Sequence, residues 1–290
     1  MSKLHISIVQ YLNTAPLVRG FTHGPLSGKY DLSFTVPSQC ADALRGGAVD
    51  IAIIPAIELQ RIPDLVVLPD LAIASKRRVR SLLLVAKKAI EQVRRIALDR
   101  SSRSTQALTR ILCAKHWGIA PEFLETKPDL SSMLEEADAA LLIGDPALRL
   151  SVLGVDRVMS GAARDPVAVG GFRVYDIAEE WRRMSGLPAV LAVWAGRRDV
   201  ITPEVTADFA ASRDYGMRHL KQICSESARQ LGLPEAQLRL YLEENIDYSL
   251  DAENIRGLQA FFEHSAALNL IGPVQPIHLA HGLTALSKST

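Results

Sequence analysis

The residues best equipped for chemistry are hydroxyls and amides placed where apolar runs end. Ser101-Ser102-Arg103-Ser104-Thr105 follows the strand-like Arg95-Ile96-Ala97-Leu98 and precedes a helical stretch from about Gln106 to Trp117. Unpaired N–H groups at a helix start, joined by hydroxyls, make a pocket for a carboxylate or phosphate. The same serines also suit an ordinary helix cap, and the sequence leaves both readings open. Arg103 either reaches a ligand or turns to solvent or a neighbouring acid. Asn13, just beyond the first apolar run, either hydrogen-bonds a substrate hydroxyl or carboxylate, or caps the following helix. Asp145 in Gly144-Asp145-Pro146 either orients a substrate or caps a helix, and taken alone the cap is the better reading. Trp194 ends an apolar run and fits a cleft wall or the core equally well.

Other chemistries find little support. The seven histidines are scattered, and the chain holds no HExxH, no clustered Cys/His set, no Walker loop and no GxGxxG. The glycines between Gly161 and Gly171 lack the dinucleotide spacing. No cofactor and no metal are therefore expected. The 33 Lys and Arg nearly balance 32 Asp and Glu, giving a formal charge of +1, so neither nucleic acid nor an acidic membrane is an expected partner. The run Lys76-Arg77-Arg78-Val79-Arg80 reads as a solvated loop or strand edge.

Location follows from similar arguments. The start, Met1-Ser2-Lys3-Leu4-His5-Ile6-Ser7-Ile8-Val9, has no secretory apolar region. No stretch approaches the roughly 20 apolar residues needed to cross a bilayer. Cys40, Cys113 and Cys224 are widely spaced and odd in number, which fits three reduced thiols. A cytoplasmic protein is expected.

The elements that must hold these residues alternate in type. Strands are predicted over 4–9, 32–36, 49–54, 65–68, 80–86, 95–98, 123–126, 139–143 and 189–194. Helices are predicted over 39–45, 106–117, 131–136 and 176–184, with Pro37-Ser38 as a turn. Short apolar runs alternating with helices indicate parallel sheets flanked by helices. From about Pro203 the pattern is helical, over 220–231, 234–244 and 251–266. With 290 residues, 48% of them hydrophobic, the chain has room for two α/β lobes. Residues 1–86 plus 187–290 are expected to form the first lobe and 87–186 the second, with 80–86 and 188–194 as crossing strands; sequence order also permits a single sheet. Ligands of such folds sit at the carboxyl ends of strands, here a cleft between the lobes.

The ordered motifs resemble one family. Val9-Gln10-Tyr11-Leu12-Asn13-Thr14-Ala15-Pro16-Leu17 is similar to the opening signature of the chorismate dehydratases of the futalosine route to menaquinone. Ser101 to Thr105, Leu141 to Leu148, Tyr175 to Trp181 and Gly186 to Trp194 are similar to later motifs, and the likeness extends into the tail around Asn245 to Tyr248 and Gly257 to Phe262. A related enzyme acting later in the route opens more like Ser-Pro-Cys-Pro-Asn-Asp, a pattern this chain lacks. The resemblance implies a fold like type II periplasmic binding proteins: α/β, with two lobes and a central ligand cleft. It implies a carbon–oxygen lyase (a hydro-lyase) that converts chorismate to 3-[(1-carboxyvinyl)oxy]benzoate and water.

Residue roles implied by the resemblance are positional. Asn13 is expected at the reacting face of the substrate, with Thr14 supporting it. Ser102, Ser104 and Thr105 are expected to hold a carboxylate, Asp145 to line the cleft, and Ser38 and Ser81 to be further cleft residues. Ser185 and Ala189 depart from residues common in the family, where Thr and Phe are frequent, without removing a catalytic group. The partner is expected to be the small dicarboxylate chorismate, handled by a monomer or a homodimer. Two other readings stay open: a non-catalytic binding protein for a small anionic metabolite, and a related lyase acting on another aromatic-pathway carboxylate.

Overall fold

A computed structural model describes residues 3–154 and 171–280; the glycines at 161 and 170 lie outside them. Strands β1 (His5–Val9), β2 (Asp31–Thr35), β3 (Ile51–Pro55), β10 (Ala189–Arg197) and β4 (Leu65–Ser75) form one five-stranded sheet, in the order β2-β1-β3-β10-β4. Strands β6 (Arg95–Asp99), β7 (Glu122–Thr126), β8 (Ala139–Ile143), β5 (Leu82–Ala86) and β9 (Arg173–Asp176) form the other, in the order β7-β6-β8-β5-β9. Two lobes are present, not one sheet.

The sheets share a plan. β1 runs parallel to β2 and β3, while β10 lies antiparallel to β3 and β4. In the same way β6 runs parallel to β7 and β8, and β5 lies antiparallel to β8 and β9. β5 therefore belongs to the second sheet, which corrects the expected boundary after residue 86. Its five residues are all buried, so both faces of the strand are covered. The chain crosses between lobes in 76–81 and returns in 186–188, so β5 and β10 lie inside the sheets they were expected to bridge.

The first crossing is held by one carboxylate. Asp176 accepts from the N–H groups of Val79 (3.0 Å) and Arg80 (2.6 Å), and caps the helix α6 (Ile177–Ser185) through Ala178 and Glu179. Arg80 has φ +65°, a conformation that a side chain adopts only when its surroundings impose it. β9, a four-residue strand with two exposed positions, carries too short a pattern to stand out in the sequence.

Helices α1 (Ala15–His23), α2 (Pro37–Arg45), α3 (Arg103–Lys115), α4 (Leu130–Glu136) and α5 (Gly144–Leu153) follow strands and cover the sheets. Ser38, expected in a turn, lies in the first turn of α2 behind Pro37, whose missing N–H suits that position. α3 starts three residues before its expected first residue, with Ser102 extended in front of it.

The tail adds α7 (Pro203–Arg218), α8 (Leu220–Leu231), α9 (Glu235–Leu240) and α10 (Ala252–Ala267). α7 crosses α1 so closely that a Cβ on Gly216 would lie 1.9 Å from the Pro16 carbonyl oxygen. Trp194 is 1% exposed and packs edge-on against Phe209 at 4.8 Å: it is a core aromatic, and the cleft-wall reading falls. No described helix is long and apolar enough to cross a membrane.

Candidate functional site

The two lobes meet through the loops at their strand ends. From the end of β1, the Leu12 N–H donates to Asp145 Oδ1 at 2.9 Å, beyond the end of β8. From the end of β3, the Ile57 N–H donates to Ser104 Oγ at 3.1 Å, beyond the end of β6. The Ser38 N–H donates to the Ser101 carbonyl oxygen at 3.1 Å. Each bond joins one lobe to the other, so these loops face each other across a closed seam.

One end of the seam gathers Asn13, Thr14, Ser81 and Asp145. A 3-10 turn over Leu12–Thr14 precedes α1 and buries Asn13 and Thr14. Asn13 makes no cap bond; its Oδ1 accepts from Thr14 Oγ1 at 3.3 Å. Ser81, 1% exposed, uses its carbonyl to accept the Gly144 N–H at 2.9 Å. Its Oγ accepts from the hydroxyl of Tyr241 at 2.8 Å. Asn13 also acts on that phenol, which burial pushes far above its usual range against the opposing pull of Ser81 and Asn13.

Asp145 does not cap α5. Its carboxylate faces Leu12, and burial raises its pKa to about 6 although the Leu12 N–H favours the charged form. Next to it Gly144 has φ +65°, and a Cβ there would lie 2.7 Å from carbons of the Tyr11 ring. Tyr11 thus lies flat against the other lobe at a point that only glycine leaves open. Burial raises its phenol to about 12, with Ser101 pulling the other way.

A second part of the seam holds Ser102, Ser104 and Thr105, all buried, with Ser38 half-buried across it. Ser102 Oγ donates to Thr105 Oγ1 at 2.7 Å and does not cap its helix. Two of these hydroxyls are therefore engaged with each other, and Ser104 is engaged with Ile57. The first N–H groups of α3 have no acceptor within the helix and suit an anion. Arg103 turns to neighbouring acids, reaching Asp42 at 2.8 Å and buried Glu58 at 3.3 Å. Outside this end lies a groove of about 460 Å³, lined by Ser38, Arg61, Arg100, Arg103, Gln106 and Arg110 among others.

Three residues of the seam carry roles that the sequence reading did not assign. Tyr11 stood inside the opening motif. Asp99, fully buried, accepts from the Ser101 N–H (2.9 Å) and hydroxyl (2.6 Å), and its pKa is raised by burial; as the last residue of β6 it had a strand-end signal. Tyr241 had none, because it comes from the helical tail. Among the described residues no three His, Cys, Asp or Glu side chains converge where they could hold a metal ion. Chemically, the seam offers amide and hydroxyl donors, one carboxylate near neutrality and helix-end N–H groups: a set for orienting an anionic substrate.

Comparison with solved structures supports the two-lobed fold. A protein of Archaeoglobus fulgidus superposes with a TM-score of 0.72 at 18% identity, covering 93% of this chain and 98% of that one. The alkanesulfonate-binding protein of Xanthomonas axonopodis pv. citri superposes with a TM-score of 0.61 at 16% identity, covering 94% and 95%. At these identities the likeness establishes the type II periplasmic-binding-protein-like fold alone.

Sequence comparison goes further. A chorismate dehydratase of Thermus thermophilus is 30% identical over 260 residues, covering 89% of this chain and 93% of that protein. A chorismate dehydratase of Campylobacter jejuni is 24% identical over 269 residues, covering 90% and 97%. The family model described as menaquinone biosynthesis matches residues 4–267. The chain belongs to the menaquinone biosynthesis family.

Proposed function

We propose that this chain is a chorismate dehydratase, a lyase that acts in menaquinone biosynthesis, and that the interlobe seam is where chorismate reacts. Chorismate carries two carboxylates, an enolpyruvyl ether and a ring hydroxyl. Loss of a ring proton and that hydroxyl makes the ring aromatic, so the enzyme must chiefly orient the substrate and exclude water. The enolpyruvyl carboxylate of the substrate takes the ring proton. That proton leaves with the hydroxyl as water, and the product is 3-[(1-carboxyvinyl)oxy]benzoate.

The observation that carries the assignment of roles is the buried Asn13 amide, set beside Ser81, Tyr241 and Asp145 where the lobes meet. An amide is no base at neutral pH, so Asn13 positions the reacting ring. Thr14 holds the amide, Ser81 donates to the substrate, and Asp145 lines the cleft. The first N–H groups of α3, with the hydroxyls of Ser102, Ser104 and Thr105 around them and Ser38 opposite, hold a carboxylate. Closure of the lobes keeps solvent out.

The reading needs only one chain, so a monomer suffices and a homodimer is compatible. Three buried free thiols, Cys40, Cys113 and Cys224, suit the reducing cytoplasm, where we place the protein.

Product analysis after incubating the purified protein with chorismate, without added metal or nucleotide, tests this reading. Appearance of the enolpyruvyl benzoate supports it. Chorismate bound but unchanged would make the chain a binding protein for an anionic metabolite. Chorismate neither bound nor changed would point to another aromatic-pathway carboxylate.

A further inference from the structure

Tyr241 lies outside every motif, yet it reaches the centre of the seam. It follows α9 and opens a five-residue π-helical turn, Tyr241–Asn245, a distortion that recurs at functional sites. The residue is 1% exposed. Its hydroxyl donates to Ser81 Oγ at 2.8 Å. One residue earlier on the crossing segment, Arg80 Nη2 donates to Gln237 Oε1 of α9 at 2.9 Å. The tail thus grips the crossing segment at two successive residues.

We propose that Tyr241 is a positioning residue for the dehydration, fixing the direction of the Ser81 hydroxyl. The inference rests on the function proposed above. A serine hydroxyl is a free rotor with one proton and two acceptor sites. Once the phenol donates into one of those sites, the Ser81 proton must point away from Tyr241. The cleft side is the direction left for an anionic acceptor. Asn13 stands beside this pair, its Oδ1 engaged by Thr14. Burial keeps the phenol protonated, so the donor persists across working pH, and a desolvated network of this kind is stronger than the same bonds in water.

The alternative is a buried tyrosine whose hydroxyl merely finds a partner in the core. Tyr241→Phe keeps the ring and removes the hydroxyl. If Tyr241 positions the site, kcat falls roughly 10- to 100-fold, as a small misplacement of reacting groups allows, while KM changes less than about threefold. Ser81→Ala and the double variant Ser81→Ala with Tyr241→Phe complete a cycle.

Adding Tyr241→Phe to Ser81→Ala is then expected to lower kcat by far less than it does alone, because the hydroxyl it directs is already gone. Full, independent losses in the double variant would overturn the inference. So would a lowered melting temperature with unchanged kcat and KM. Wild-type protein that leaves chorismate unchanged overturns the proposed function and this inference together. An active wild type beside a fully active Tyr241→Phe overturns this inference alone.

Discussion

The two lobes are built on the same strand plan, and their matching strand ends do different work. Counted from the ends of β1 and β6, Tyr11 corresponds to Ser101 and Thr14 to Ser104. Counted from β3 and β8, Ala56 corresponds to Gly144 and Ile57 to Asp145. The bonds across the seam follow the same correspondence. A β1 loop meets a β8 loop through Leu12 and Asp145, and a β6 loop meets a β3 loop through Ser104 and Ile57. After β1, however, a 3-10 turn intervenes and buries an amide. After β6 the helix begins almost at once and presents its N–H groups. Topology decides where the loops meet; loop residues decide what each end offers there, a buried amide or helix-end N–H groups.

Asn13→Asp attacks the first end and carries the largest expected effect. It replaces an amide by a carboxylate beside Asp145 and an anionic substrate. Loss of a preorganised donor alone lowers kcat about 10²- to 10³-fold. Product formation from chorismate, with folding confirmed by thermal melting, measures it; near-normal turnover and substrate affinity would remove Asn13 from the reacting region. Gly144→Ala comes next. The left-handed backbone costs an alanine about 1–2 kcal/mol, and its Cβ displaces the Tyr11 ring. A loss of roughly tenfold in kcat/KM is expected, equivalent to about 1.4 kcal/mol. Ala56, the matching residue in the other lobe, shows that the strand end itself tolerates a side chain. An unimpaired Gly144→Ala would show that Tyr11 need not seat there.

Asp145→Asn separates charge from hydrogen bonding at the same end. With its pKa raised to about 6, the folded protein keeps a proton between pH 4 and 6 that the unfolded chain releases. Asp145 therefore lowers stability as pH rises through that window, reaching a cost of about 1–3 kcal/mol near pH 7. An asparagine still accepts from Leu12 and cannot ionise. The variant is expected to melt higher than wild type at pH 7 and similarly at pH 4. Parallel pH profiles of melting for the two proteins would refute the assignment.

Much of this arrangement was legible in the sequence because it depends on local pattern. The strand-end hydroxyls and amides mark the seam, and apolar runs such as 51–54 and 139–143 mark the sheet interiors. What stayed hidden depends on distant partners. The five apolar residues of β5 fit the interior of either sheet, and only their pairing with β8 and β9 places them in the second lobe. Asp145 looked like a cap because its neighbours favour one, whereas its partner lies 133 residues away. Tyr241 joins Ser81 across 160 residues, through a π-helical turn that no helical periodicity announces. Trp194 was ambiguous until Phe209 packed against it.

Ser104→Ala tests the second end and has the smallest expected effect. The hydroxyl of Ser104 accepts the Ile57 N–H only when the lobes are closed, because its partner belongs to the other lobe. Removing it strands a buried N–H, at a cost of about 1–3 kcal/mol if no water replaces it. The open form, with that N–H hydrated, is spared most of the penalty. The closed form is therefore populated less, and substrate must supply the difference when it binds. The lower bound predicts a rise of about fivefold in KM, with kcat within about threefold of wild type, because the Asn13 end is untouched. Ser104→Thr keeps the acceptor and is expected to restore KM. A large fall in kcat for Ser104→Ala would mean instead that this hydroxyl touches the reacting part of the substrate. The proposed division between an orienting end and a carboxylate-holding end would then have to be redrawn.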